Sequence, residues 1–205
     1  MKNKQLNLTS GPILSTLTEL ALPIMASSFL ATAYNITDMA WIGMLGSKAV
    51  AGVGVGGMYV WLSQGLCSLS RMGGQVNMAQ ALGRKDREAS IRYADVALQL
   101  TILFGLFFTA LCLLFTDPLL HFFNLTDPEA YASARVYMLI TCGLILLPYL
   151  TQTLTGLYTA QGDSKTPLKA NFLGLVLNMV LDPVLILGVG PFPRLEVVGA
   201  AAATV

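Results

Sequence analysis

The sequence predicts an all-α polytopic membrane protein, and three observations carry that prediction. Of its 205 residues 55% are apolar and only 11% charged, with a mean hydropathy of +0.66. A soluble domain carries about 25% charged residues. The apolar residues gather into segments long enough to span a bilayer, which takes about 20 residues each. The basic residues alternate in number between successive connections. Lys2, Lys4, Arg71, Arg84, Lys85, Arg87, Arg92, Lys165 and Lys169 fall on one side, and only Lys48, Arg135 and Arg194 on the other. That asymmetry places the N-terminus in the cytoplasm of a multi-pass protein of the plasma (inner) membrane.

The whole chain, 1–205, reads as a single transmembrane domain with spans at about 14–42, 49–69, 91–115, 132–158 and 168–189. A sixth begins at about 197 and is cut short at 205, which is the reading expected of a truncated chain. The first span holds Glu19 and Pro23 and is too long and too polar for a cleaved signal sequence. It is expected to act as a signal anchor, with a bend at Pro23, whose ring clashes with the Glu19 carbonyl. The second span is dense in glycine, and Gly52 with Gly56 makes a small-xxx-small pair suited to close helix packing. Trp41 and Tyr59 read either as interface anchors or as cavity walls. The stretch 71–90 reads as a cytoplasmic hairpin that carries two helices beyond the lipid. Pro148 and Pro183 are expected to interrupt the fourth and fifth spans, with local distortion at Pro183.

Two aspartates sit where hydrocarbon is expected. A carboxylate there costs roughly 2.5–3.5 kcal/mol on insertion scales. Asp38 lies 24 residues past Leu14 and Asp182 lies 14 past Leu168. At about 1.5 Å per residue both fall in the outer half of their helices. Tyr34 and Asn35 stand four and three residues before Asp38, and Asn178 four before Asp182. These spacings suit one helix face turned to the protein interior, because lipid offers no partners. Two carboxylates at one depth point to a site that holds a proton or a cation.

Cys67, Cys112 and Cys142 lie in apolar runs without a CxxC pair, and His121 is the one histidine. A zinc site or a disulfide framework is not expected, nor any cofactor beyond that proton or cation. No nucleophile–base set or nucleic-acid stripe stands out, so neither an enzyme nor a nucleic-acid partner is expected.

The stretches "LTELALPIMASSFLATAYNITDMAWIGMLG" and "AQGDSKTPLKANFLGLVLNMVLDPVLILGVG", followed by "VGAAAATV", resemble helices of the multidrug and toxin extrusion (MATE) transporters. The resemblance runs from about residue 13 to 205 and covers one lobe. It implies the N-terminal six-helix lobe of a twelve-helix bundle, with five complete helices and the start of the sixth, and a missing C-terminal lobe. It also implies export of drugs or organic cations from the cytoplasm in exchange for H⁺ or Na⁺. Asp38 matches the acid that couples ion and substrate. Asn178 and Asp182 match cation ligands, and Thr204 falls where a threonine of that site is expected. Sodium, if it is the ion, would therefore meet Asp38, Asn178, Asp182 and Thr204. Tyr34 and Tyr137 match cavity tyrosines, and Pro23 the bend of the first helix. Ala31 stands where a glutamine is sometimes found. Two rival readings are a carrier of lipid-linked or polysaccharide substrates from the same superfamily, and a structural membrane protein whose polar residues only join helices. The near absence of Lys and Arg inside the spans favours cationic substrates over the first rival.

Overall fold

The computed structural model describes residues 13–188 and 195–204. Lys2, Lys4 and Arg194 of the charge asymmetry lie outside the described residues. Within them the chain forms α1 (Ile13–Gly43), α2 (Ser47–Gly83), α3 (Arg87–Leu114), α4 (Thr116–His121), α5 (Pro128–Gly143), α6 (Leu146–Ala160), α7 (Lys165–Leu187) and α8 (Glu196–Thr204). Helices α1, α2, α3 and α7 are each long and apolar enough to cross a membrane. Helices α5 and α6, bent by 47° at their junction, are together long and apolar enough to make a fifth crossing if they form one span.

That bend is the interruption expected at Pro148 within the span at 132–158. Pro148 has no N–H to give the Leu144 carbonyl, which accepts from the Leu147 amide instead at 3.0 Å. The tighter turn ends one helix and starts the next. By contrast, α1 and α7 pass Pro23 and Pro183 as continuous helices. The connection between α3 and α5 contains α4, whose His121 lies against Tyr131 with ring centroids 5.5 Å apart. Between α2 and α3 only residues 84–86 leave the helix. Asp86 caps α3 by accepting from the Ala89 amide at 3.0 Å, and Asp127 caps α5 in the same way.

The helices form two blocks. In the first, α2 lies against α3, α5 and α6. Its approach to α5 is allowed by Gly52, where a Cβ would meet the Ala130 carbonyl oxygen at 2.7 Å and the Ala134 nitrogen at 2.9 Å. The core between these helices holds Tyr59, Cys67, Phe108, Cys112, Met138 and Tyr149. Tyr59 is neither anchor nor cavity wall: it is buried and donates to the Leu119 carbonyl at 2.6 Å. In the second block α1 packs on α7 and α7 on α8. The two are joined where Val53 and Tyr137 meet Ile42, Ile186 and Ala200. At the basic end of the bundle, Lys165 and Glu19 pair at 3.4 Å and tie the start of α7 to α1. Gly188 ends α7 in the left-handed conformation, φ 71°, that suits glycine.

Candidate functional site

The buried carboxylates and their polar neighbours converge where α1, α5, α7 and α8 meet. Spacing by four puts Tyr34 and Asp38 on one face of α1, and Asn178 and Asp182 on one face of α7. The two helices pack together and bring these faces into contact. Asn178 Nδ2 donates to the Tyr34 hydroxyl at 3.3 Å and to the Ala203 carbonyl at 2.5 Å. The Tyr34 hydroxyl donates to Thr204 Oγ1 at 3.3 Å, and Thr204 in turn donates to the Ala200 carbonyl at 2.8 Å. Tyr137, buried on α5, lies within electrostatic reach of Asp38 and Asp182.

What this network leaves unpaired is the site's chief property. Asp182 is fully buried, and neither carboxylate oxygen has a hydrogen-bond partner. Oδ1 of Asp38 and Oδ1 of Asn178 are buried and unpartnered as well. Asp38 and Asp182 lie close enough to feel each other's charge. The ion pairs among the described residues are elsewhere: Lys48 with Asp127 and Glu129, Arg135 with Asp117, Lys165 with Glu19. Buried charge without a partner is strongly unfavourable. Two chemistries relieve it. A proton makes one carboxyl a donor to the other oxygens. A hard cation takes the oxygens as ligands.

The structure thus brings together Tyr34, Asp38, Tyr137, Asn178, Asp182 and Thr204. Asn35 does not join them: it is exposed. On an α-helix it is rotated about 100° from Tyr34, beyond the strip that α7 covers. The expectation that it shares the interior face is corrected on that ground.

A second correction concerns charge. A cavity of about 710 Å³ opens between α1, α2, α6 and α7, with Tyr34, Asn178 and Thr204 in its wall. Toward the basic end it is lined by Arg71, Gln75, Gln152 and Asn171. Arg71, counted above only as a topology signal, is the charged residue of that lining. The signal was legible, since Arg71 and Gln75 repeat the spacing of four that marked Asp38 and Asp182.

The chain is similar in sequence and fold to known proteins. The MatE family model matches residues 23–184. A probable multidrug resistance protein (NorM) of Thermotoga maritima is 32% identical over 92% of this chain and 40% of its own length. An FAD transporter of Shewanella oneidensis is 28% identical over 100% of this chain and 45% of its own length. A solved structure of a transporter of the MOP superfamily from Pyrococcus furiosus, described as having a binding pocket of reverse polarity, superposes with a TM-score of 0.89. Its identity is 27%, over 100% of this chain and 44% of that one. The chain spans less than half the length of these proteins. It belongs to the MatE family, as a multi-pass membrane protein with the fold of about half a MATE transporter.

Proposed function

We propose that this chain is the ion-coupling lobe of an antiporter that exports drugs and organic cations from the cytoplasm, driven by H⁺ or Na⁺. The observation that carries the proposal is Asp182, wholly buried with both oxygens unpaired and Asp38 nearby. A structural role would have given those oxygens partners. Leaving them free makes the site's energy depend on whether a cation or proton occupies it, and a switch requires that dependence. Open to the outside, the site loads H⁺ or Na⁺ through Asp38, Asn178, Asp182 and Thr204. The neutralised carboxylates release a cationic solute, which leaves outward. Tyr34 and Tyr137 hold the loaded geometry, and α1 bends at Pro23 as it follows the change, with Pro183 loosening α7 beside the site. The exporter lies in the inner membrane with its N-terminus in the cytoplasm, and a second lobe supplies the rest of the cavity.

The relatives support export of small molecules: one is a probable multidrug resistance protein, another an FAD transporter. The test uses the complete gene in cells lacking their main efflux pumps. Efflux of a fluorescent organic cation is followed under a sodium gradient alone and then a proton gradient alone, for wild type and Asp182→Asn. Efflux that needs one gradient and the carboxylate names the ion. No efflux from a well-expressed wild type would reject the proposal. One observation favours the rival from the same superfamily, a carrier of lipid-linked or polysaccharide substrates: the charge in the cavity wall is the cation Arg71.

A further inference from the structure

The cavity carries a charge that the coupling chemistry does not use. Arg71 is half-buried in its wall, and no residue of that wall is acidic. Its Nε is buried without a hydrogen-bond partner. A guanidinium nitrogen left in this state costs stability unless something pairs with it.

Its placement is also built. On α6, opposite, stands Gly156, where a Cβ would meet Arg71 Cγ at 2.9 Å and Gln75 Oε1 at 3.3 Å. The helix is cut back to glycine where both side chains cross it. An arginine that only reached for water at the membrane surface would need no notch, because its stem is free to bend outward. A second unpaired group lines the same cavity. Ser164, immediately before α7, is only 3% exposed, and its Oγ has no partner. The cap it would have provided comes from Asp163, whose carboxylate accepts from the amides of Lys165 at 3.1 Å and Thr166 at 3.0 Å. Gln75 and Asn171 add amide donors, and Gln152 is fixed by a 2.5 Å bond to Gln64.

We infer that this end of the cavity is an oxyanion site. Arg71 supplies the planar fork that suits carboxylate or phosphate, Ser164 a hydroxyl, and Gln75 and Asn171 amides. It takes a carboxylate or phosphate group, borne either by the carried solute or by the head group of an anionic lipid. The inference rests on the transport function proposed above and changes its substrate class: the solute carries a negative group as well as, or instead of, a positive one.

The test is equilibrium binding to the purified protein from the complete gene, in nanodiscs of neutral phosphatidylcholine. The probes are methylumbelliferyl phosphate and its neutral parent, methylumbelliferone. The wild type is expected to prefer the phosphate ester by about tenfold. Arg71→Gln should abolish the preference and leave the neutral probe unchanged. Arg71→Lys should keep part of it, since charge survives without the fork, and Gly156→Ala should weaken it by displacing Arg71. Adding phosphatidylglycerol separates the sources. Competition that depends on Arg71 assigns the site to a lipid head group, and an unaltered preference assigns it to the solute. Equal binding of both probes by the wild type would overturn the inference, as would equal losses for both in Arg71→Gln. Cation efflux that persists while the preference is absent removes only this site. An Arg71-dependent preference without cation efflux removes only the antiporter.

Discussion

The two blocks of the bundle treat buried polar groups in opposite ways. In the α2, α3, α5 and α6 block the interior hydroxyls are paired off, and Arg71 Nε at the cavity wall is the exception. Thr101 Oγ1 meets Thr153 at 2.8 Å, Ser70 at 3.0 Å and the Ala97 carbonyl at 2.7 Å. The Tyr149 hydroxyl donates to the Ser63 carbonyl at 2.6 Å. Across α1, α7 and α8 the network stops short, with Asp38, Asn178 and Asp182 holding unpaired oxygens. Pairing fixes one structure. Incomplete pairing leaves a site whose energy a ligand can change. The first block is therefore read as scaffold and the second as the moving, binding part.

The largest effect should come from Asp182→Asn. Coupled efflux is expected to fall to the level of cells lacking the gene. Thermal stability in detergent should hold or rise, because the change removes a buried unpaired charge. A variant that exports normally would place Asp182 with the scaffold. A variant that unfolds would do the same for a different reason, showing that the carboxylate joins helices after all.

Next in size is a packing defect in the scaffold. Gly52→Ala sets a methyl against the backbone of α5, which cannot swing aside as a side chain could. A loss of about 1–3 kcal/mol is expected, the usual cost of overpacking. Gly54→Ala is the control, since a Cβ there meets nothing within 4 Å. Equal melting temperatures for the two would mean that the α2–α5 approach is looser than drawn. Smaller still is Thr101→Val, which removes one member of the hydroxyl cluster. Interhelical hydrogen bonds in membranes average about 0.6 kcal/mol. A modest drop in melting temperature with efflux retained would sharpen the division, and lost efflux at full stability would blur it.

Much of this division was legible beforehand, for physical reasons. Hydrophobic length dictates spans, because an apolar run has no other stable place. Asp38 and Asp182 announced themselves because charge in hydrocarbon is costly, and the spacing of four fixed their companions. Long-range partners were a different matter. That Tyr34 would donate to Thr204, 170 positions away, depends on how α8 docks, which no local pattern encodes; the resemblance alone supplied Thr204 and Tyr137. Proline misled in degree. Its chemistry is local, but whether a helix breaks depends on what packs around it. Pro148 breaks the α5–α6 span, whereas α1 and α7 run on through Pro23 and Pro183. Arg71 was misread because a basic residue near a span end serves topology by default. Its role in the cavity wall depends on a notch at Gly156, 85 residues further along.

The smallest effect concerns the charges outside both blocks' interiors. A hydrogen bond from Tyr131 and then the Arg135 guanidinium hold Asp117 below the ordinary carboxylate range. Lys48 chiefly, with the Ala130 amide, does the same for Asp127. A depressed folded-state value means stability that is present above the unfolded value, about 3.9 for aspartate, and is lost as pH falls through the lower folded value. These groups are exposed, and water and salt screen them. The melting temperature should therefore be nearly flat from about pH 7 to pH 5 and decline gently only below about pH 4. Asp117→Asn and Asp127→Asn should remove part of that decline while changing little at neutral pH. The same titration probes the interior. A steeper step elsewhere in the titration that Asp182→Asn removes would mean that protons reach the buried pair and alter the fold's stability as they bind. The unpaired oxygens of α1 and α7 would then be coupled to the structure itself, as a proton-driven switch requires. A step that survives Asp182→Asn would locate the sensitivity outside the site.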